Sequence, residues 1–316
     1  MATDVRRTWI LLLLLCLGSV LADSPAQAAS NVVAWGQNGY GQCAVPDVQF
    51  SAVAAGHTYS LGMLTDGTLL AWGDDVFHQC DVPGGIFSAV AAGPWYSLGI
   101  RADGTLAAWG HNSAGQCTVP DGTFMAVAAG ESFALGLHDD GTLAGWGSNA
   151  AGESDVPSGE FSAVAAGAEH GLALRTDGTL AAWGWNYYGQ CNVPSGTFKA
   201  VAAGADHSLA IKSDGTLAAW GDNRFGQRNV PGGTFTAISA LGLWSVGLRS
   251  DGTLAAWGDN TWGACNVPSG RFTAISAGGA HGLAIQAIPE PSSLLALGGG
   301  LGALSLLRRR RVNGKK

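Results

Sequence analysis

Five cysteines of this 316-residue chain recur at multiples of 37 residues, a spacing that bears on disulfide and metal chemistry. No two of them form a Cys-x-x-Cys motif, and Ser154 and Arg228 take the same place in two further copies. If the repeats are arranged in a symmetric ring, equivalent cysteines of neighbouring copies lie farther apart than the Cα–Cα distance of about 7 Å that a disulfide tolerates. We therefore interpret them as unpaired packing residues: Cys43, Cys80, Cys117, Cys191 and Cys265.

Histidine and aspartate, both possible metal ligands, also occupy fixed places in the repeat. His170, His207 and His281 share a position that elsewhere holds Tyr, Phe or Trp, which indicates packing. Six Asp-Gly pairs offer one carboxylate each, and a hairpin turn explains them. We predict neither metal nor cofactor, since the other histidines follow no ligand spacing: His57, His78, His111 and His138.

The residue patterns of common enzymes are missing from the sequence. No serine lies in a nucleophile elbow, and no glycine-rich loop precedes a helical segment. Paired carboxylates such as Asp74-Asp75 occur in single copies only. Leu241, at a place that otherwise holds glycine, is the one hint of a specialised site. We predict a protein without catalytic activity, with a polysaccharide lyase or hydrolase as the less favoured alternative.

Three aromatic residues, Trp95, Trp185 and Tyr187, break the repeat at positions that we expect to be exposed. Trp185 stands where other copies hold Gln, Asp, His or Ser, and Tyr187 and Tyr188 follow it closely. Trp95 stands where other copies hold Thr, Ser, Glu, Asp, Leu or Ala. Exposed aromatic side chains beside acids and amides often hold sugar rings or protein partners. Packing between loops is the alternative interpretation.

The charge distribution argues against nucleic acid as a partner. Eight basic residues stand against twenty acidic ones between positions 29 and 287, a net charge of −12. Such a surface repels phosphate backbones. We predict no binding to nucleic acid.

A 37-residue repeat defines the elements that position these residues. Trp-Gly recurs seven times from Trp35 to Trp257, always at this interval. Most copies contain an Ala-Val-Ala-Ala-Gly segment, an apolar run, an Asp-Gly pair and a Leu-x-Ala-Trp-Gly segment, without helical periodicity. The pattern predicts an all-β, seven-bladed β-propeller with three strands and a short fourth per blade. The alanine-rich strand should be innermost, and tryptophans should lie between blades.

The two ends of the repeat region complete each other. The last copy stops after Ile285 without an Asp-Gly pair, and residues 31–36 supply the missing strand. We predict that the N- and C-terminal strands pair in one shared blade and close the ring over residues 29–287. Because strands alternate in direction, Trp95, Trp185 and Tyr187 should lie on one face. The Asp-Gly turns and the chain ends should lie on the other.

Residues 1–28 have the features of a secretory signal peptide. Arg6 and Arg7 precede an apolar run from Trp9 to Leu21, and Ala26-Gln27-Ala28 provides small residues for cleavage after Ala28. An uncleaved anchor helix is the alternative, although the run is short for a membrane span.

The region 288–316 combines Pro289-Glu290-Pro291, an apolar segment from Leu294 to Leu307 and four arginines from Arg308 to Arg311. As a helix the apolar segment would measure about 21 Å, shorter than a hydrocarbon core of about 30 Å. The arginines would stay on the cytoplasmic side. An ordinary permanent anchor is the alternative to a processed one.

Two resemblances accompany these patterns. The segment Val201 to Gln227 resembles the regulator of chromosome condensation repeat, and the resemblance extends over nearly all of residues 31–286. It implies a seven-bladed propeller closed by a shared blade. The copies are shorter than that family's, so the loops used for guanine-nucleotide exchange have no counterpart, and we do not expect exchange activity.

The second resemblance lies in residues 288–316, which resemble the PEP-CTERM sorting signal. It implies transient anchoring in the inner membrane, recognition of Pro289, Glu290 and Pro291 by an exosortase, and delivery to the exterior, often with exopolysaccharide. We therefore predict an exported surface or matrix protein, in the periplasm, on the outer surface or in the extracellular matrix. Its function would be to bind carbohydrate or protein partners, and a purely structural matrix component is the alternative.

Overall fold

A computed structural model describes residues 31–287, and all its regular elements in that range are β-strands. None of these residues forms a helix long and apolar enough to cross a membrane. The predicted signal peptide (1–28) and sorting region (288–316) lie outside the described residues.

Twenty-one strands form seven separate three-stranded antiparallel sheets, which we number as blades 1 to 7. The strands of each blade, from the inner to the outer, are as follows: blade 1, β2 (Phe50–Ala55), β3 (Tyr59–Leu64), β4 (Leu69–Gly73); blade 2, β5 (Phe87–Ala92), β6 (Tyr96–Arg101), β7 (Leu106–Gly110); blade 3, β8 (Phe124–Ala129), β9 (Phe133–His138), β10 (Leu143–Gly147); blade 4, β11 (Phe161–Ala166), β12 (His170–Arg175), β13 (Leu180–Gly184); blade 5, β14 (Phe198–Ala203), β15 (His207–Lys212), β16 (Leu217–Gly221); blade 6, β17 (Phe235–Leu241), β18 (Trp244–Arg249), β19 (Leu254–Gly258); blade 7, β20 (Phe272–Ala277), β21 (His281–Gln286), β1 (Asn31–Gly36).

The ring closes in blade 7 as predicted. Strand β1 pairs antiparallel with β21, and Asn31 lies opposite Gln286 in the register. The first and last described strands therefore belong to one sheet, and no other blade draws on distant parts of the chain.

The alanine-rich strands line the centre of the ring, which confirms the predicted order. Residues from all seven inner strands surround a channel of about 230 Å³. Most lining side chains are Ala or Val, since only small groups fit where seven strands converge. Leu241 also lines this channel, together with Ser239 and Ser276. Both serines accept a hydrogen bond from a backbone N–H of the next blade.

The tryptophans of the repeat pack between blades, also as predicted. Each of seven apolar clusters combines side chains from two neighbouring blades. The indole Nε1 of Trp72 donates to the carbonyl oxygen of Gln42 at 2.9 Å, in the loop of the preceding blade. The other six repeat tryptophans make the equivalent bond. These bonds fix the loop of one blade against the next.

The predicted short fourth strand is wrong, because every described blade has three strands. The segment that follows the outer strand, from Cys43 toward Pro46, has no strand structure. Its contact with the outer strand is made by the Cys43 thiol, which lies 3.6 Å from the carbonyl oxygen of Trp35. Proline in this segment also removes a backbone donor that a strand ladder would need.

The disc has two faces, which we name by their loops. The Asp-Gly face carries the turns between middle and outer strands; in the first, Asp66 Oδ1 accepts from the Thr68 N–H at 2.9 Å. The loop face carries the turns between inner and middle strands and the loops after the outer strands. Hydrogen bonds join these turns to these loops; for example, the Trp185 N–H donates to the Glu169 carbonyl oxygen at 2.8 Å. Asn31 and Gln286 lie toward the Asp-Gly face, as predicted.

Candidate binding face

Two side chains give the loop after each outer strand its shape. Asn38 Oδ1 accepts a hydrogen bond from the Cys43 N–H at 2.8 Å, and an Asn or Asp does the same in all seven blades. Gln42 Oε1 accepts from the Tyr40 N–H at 2.9 Å, and a Gln or Glu does so in six blades. The loop backbone is therefore repeated while the side chains that project from it vary.

Blade 4 presents the aromatic patch that the sequence predicted. Trp185 is 43% exposed and Tyr187 is 76% exposed. Their rings lie nearly parallel, with centroids 6.2 Å apart and an angle of 22° between the planes. Tyr188 is half-buried and stands at 88° to Tyr187, with the Arg224 guanidinium of blade 5 at 4.5 Å from its ring centroid. The patch is thus a broad aromatic surface that is partly exposed to solvent.

Trp95 does not belong to this patch, and its predicted exposure is only partly correct. It is half-buried at the junction of blades 1 and 2. Its ring lies 6.2 Å from His57, 6.4 Å from Phe77 and 6.4 Å from His111, measured between centroids. Here the packing alternative holds, because three rings from two neighbouring blades cover much of the indole.

The loop face is acidic. Its turns and the eight residues after each outer strand contain ten acidic and two basic side chains, the bases being Arg224 and Arg228. Burial, followed by the nearby charges of Glu153, Glu131 and Asp206, raises the pKa of Glu169. A face with this charge repels anionic ligands.

Arg224 organises the polar groups next to the aromatic patch. Its Nε lies 3.0 Å from Asp222 Oδ1, and one terminal nitrogen lies 3.8 Å from Asp206. Hydrogen bonds from Arg224 and Gln227 outweigh the burial of Asp222, so the pKa of this carboxyl is lowered. The guanidinium is thereby held over Tyr188, with both carboxylates beside it.

The five cysteines are free and half-buried. Each thiol lies against backbone carbonyls of its own blade; Cys43 Sγ, for example, is 3.2 Å from the Gln37 oxygen. Burial raises the pKa of Cys43 to about 11. For Cys80, burial and the neighbouring Asp75 raise the pKa to about 12. Such thiols are poor nucleophiles and poor metal ligands at neutral pH.

The histidine position has a polar role that the sequence prediction missed. His170, His207 and His281 are fully buried, and each Nε2 lies 2.8 to 2.9 Å from a serine hydroxyl of the next blade. The serines are Ser208, Ser245 and Ser60, respectively. The position therefore links blades by hydrogen bonds as well as filling space.

One exposed group brings possible metal ligands together despite the lack of ligand spacing in the sequence. Ligand atoms of Asp75, His78 and Asp81 lie within 4.8 Å of one another. All three residues are exposed, and His78 Nδ1 is paired with Asp81 Oδ2 at 3.0 Å. Exposed acidic groups of this kind are common on solvated loops, so this group does not identify a site.

The structure also shows four exposed aromatics that the sequence reasoning missed, at the position that Tyr188 occupies in blade 4. Four residues after the last glycine of each outer strand comes a position that is aromatic in five blades and alanine in two. We call it the Tyr40 position, and its members in blade order from blade 7 are Tyr40, Phe77, Ala114, Ala151, Tyr188, Phe225 and Trp262. The signal was available, because these residues are also 37 apart.

Comparison with protein families agrees with this architecture. Residues 87–116, 126–153, 161–190 and 198–227 each match the regulator of chromosome condensation (RCC1) repeat. Four of its seven copies therefore match the RCC1 repeat, and the chain is similar to propellers built from it. No curated protein matches the chain.

Solved structures share this propeller fold. Prp20p from Saccharomyces cerevisiae, described with its binding to Gsp1p and histones, has a TM-score of 0.74 at 14% identity, over 88% of this chain and 96% of that one. Human WBSCR16 has a TM-score of 0.70 at 18% identity, over 82% and 99%. The ectodomain of the Physcomitrella patens receptor kinase CR4 has 0.63 at 23%, over 72% and 68%. Identities this low establish the fold alone.

Proposed function

We propose that this propeller is an exported, non-catalytic binding protein that holds carbohydrate on its loop face. The observation that carries the proposal is the patch of Trp185 and Tyr187, which are 43% and 76% exposed and stacked nearly parallel. Exposed aromatic groups of this size usually mark an interaction site. RCC1-like propellers typically serve as binding or exchange-factor proteins, and because the copies here span only 37 residues we do not expect exchange activity.

Carbohydrate suits this patch for chemical reasons. The apolar faces of sugar rings stack on flat aromatic rings, and their hydroxyls need donors and acceptors at the edge of the stack. Asn186 lies within the patch and is exposed, while the exposed Arg224 guanidinium stands over the Tyr188 ring. The acidic loop face disfavours strongly anionic polymers, so neutral glycans are the expected ligands.

Export and orientation belong to the same proposal. The features of residues 1–28 and 288–316 indicate a route through the membrane, an exosortase as transient partner and release at or beyond the outer surface. Because Asn31 and Gln286 lie toward the Asp-Gly face, the tethered protein would direct its loop face outward. Mass spectrometry of the mature C-terminus tests the processing. Faster proteolysis of the Asp-Gly turns than of the loop face on intact cells would contradict the orientation.

A glycan array and a pull-down with exported proteins test the binding itself. We expect the double substitution Trp185→Ala and Tyr187→Ala to abolish glycan binding. The matched control is Ile86→Ala, because Ile86 is an apolar residue 51% exposed on the opposite face. Equal binding by the double variant and the control would contradict the proposal. Binding of protein partners alone would favour a protein ligand, and no binding of either kind would favour the structural matrix component.

A further inference from the structure

The Tyr40 position forms an unbroken aromatic arc around the loop face. Its two alanines belong to the adjacent blades 2 and 3, so the five aromatic residues occupy five consecutive blades, from blade 4 through blade 7 to blade 1. Four of the five expose between 39% and 59% of their surface, and Tyr188 is half-buried. We call this set the aromatic arc: Tyr188, Phe225, Trp262, Tyr40 and Phe77.

The fold does not require an aromatic side chain at this position. Ala114 N–H donates to Gln116 at 2.9 Å and Ala151 N–H donates to Glu153 at 2.7 Å, the same bonds that hold the aromatic copies. The loop therefore keeps its shape with a methyl group in this place. Large aromatic side chains exposed to solvent in four neighbouring blades, with a half-buried one in the fifth, call for a reason other than folding.

Both ends of the arc carry additional aromatic groups. At blade 4, Tyr188 adjoins Trp185 and Tyr187. At blade 1, Phe77 packs at 4.8 Å from His111 and 6.4 Å from Trp95. The blades that hold alanine, by contrast, form a gap in which the ring of aromatic side chains is interrupted. The arc thus has two defined ends and one aromatic residue in every blade between them.

We propose that the aromatic arc binds one extended chain of a neutral polysaccharide along five blades. This inference rests on the proposed carbohydrate-binding function and specifies its ligand as a polymer. A short oligosaccharide could occupy the blade 4 patch alone, whereas only a long chain reaches blade 1. Several weak contacts along one chain raise its affinity by effective concentration. The ten acidic side chains of the loop face exclude polyanions and leave neutral chains.

The test compares a polymer with its own fragments. The protein is screened by affinity electrophoresis against neutral probes (dextran, mixed-linkage β-glucan, galactomannan and xyloglucan), with alginate as the polyanion and polylysine as the cationic probe. The probe that binds is then titrated as whole polymer and as short oligosaccharides. The arc variant combines Tyr40→Ala, Phe225→Ala and Trp262→Ala, all outside the blade 4 patch, with Ile86→Ala as control.

We expect the arc variant to lose about tenfold or more in affinity for the polymer and less than about twofold for the fragments. The control should match the wild type on both. An arc variant that binds the polymer as the wild type does overturns the arc and leaves the blade 4 site standing. Equal losses on polymer and fragments overturn the separate role of the arc. No binding to any neutral probe, or binding of alginate or polylysine alone, overturns the proposed function as well.

Discussion

On the Asp-Gly face, six turns repeat the same residues, Asp-Gly-Thr, with the same bonds from Thr to the Asp carboxylate. On the loop face, the three residues after each outer strand differ from Gln-Asn-Gly in blade 7 to Trp-Asn-Tyr in blade 4. Only the central Asn or Asp is kept, because it bonds the loop backbone. The Asp-Gly turns therefore share both their side chains and their backbone conformation from blade to blade, whereas the loops of the loop face share only their backbone conformation.

This difference separates residues that build the disc from residues that are free to bind. The Asp-Gly face contains six of the eight basic residues between positions 29 and 287, and three arginines there stack on phenylalanine rings in the same way. The loop face holds the exposed aromatics, which no repeated contact fixes. Substitutions on the two faces should therefore have different consequences for stability and for binding.

Acidification should weaken the loop-face side of the disc first, and this is the largest effect that we expect. Burial lowers the pKa of His170 to about 3 and the pKa values of His207 and His281 to about 4. Below pH 6.5 the unfolded chain takes up protons that these folded histidines cannot. Each histidine should therefore remove about 1.4 kcal/mol of stability per pH unit until its folded pKa is reached.

Thermal unfolding between pH 7 and pH 4.5 measures this loss. The matched control replaces all three histidines by tyrosine, because Tyr59 in blade 1 faces Ser97 and bonds its hydroxyl at 2.7 Å. That variant should lose much less stability on acidification. The Asp-Gly turns should persist to lower pH, since hydrogen bonds from threonine lower the pKa of carboxyls such as Asp140. An identical pH dependence in both proteins would refute the assignment.

Gly221→Ala should be a strongly destabilising substitution beneath the loop face. Gly221 has a φ of 93°, and a Cβ there would lie 2.5 Å from the backbone oxygen of Asp206. We expect a loss of about 3 kcal/mol in the free energy of unfolding. Gly226→Ala is the control at about 1 kcal/mol, because His78 occupies the equivalent place with φ 62°. Denaturant unfolding separates the two, and similar losses would contradict the clash.

Arg101→Ala tests the repeated contacts of the Asp-Gly face. The guanidinium lies 5.2 Å from the centroid of the Phe87 ring and donates to the Gly84 carbonyl at 3.1 Å. We expect a loss of about 0.5 to 1 kcal/mol and unchanged glycan binding. Arg101→Lys should restore part of the stability, because the charge over the ring returns. A binding defect in either variant would mean that the two faces are not independent.

The sequence predicts most of the fold because the repeat fixes it. The 37-residue interval, the Asp-Gly turns and the complementary ends led to the correct ring, the correct inner strand and the correct faces. The fourth strand was wrong because a thiol contact, rather than a backbone ladder, joins Cys43 to the outer strand. A strand pattern in the sequence does not distinguish these two kinds of contact.

Only part of the candidate site could be predicted from the sequence. Trp185 and Tyr187 are exposed as predicted, since neighbouring copies hold polar residues there. Trp95 is covered by His57 and Phe77, and such ring contacts between separate loops cannot be derived from repeat positions. The histidine bonds could have been found, because every histidine at that position has a serine 38 residues ahead around the ring, whereas Phe133 has Gly171.

Phe225→Ala should produce the smallest change in stability and so gives the most direct contrast between the faces. Phe225 is 47% exposed, and its backbone N–H is held by Gln227 at 2.8 Å regardless of the side chain. We expect a change of less than about 0.5 kcal/mol in the free energy of unfolding. The converse substitution, Ala114→Phe, should likewise leave stability unchanged and extend the arc toward blade 2. Calorimetry of both variants and of Arg101→Ala makes the comparison. A loss of stability for Phe225→Ala as large as that for Arg101→Ala would show that the aromatic arc is needed to stabilise the propeller.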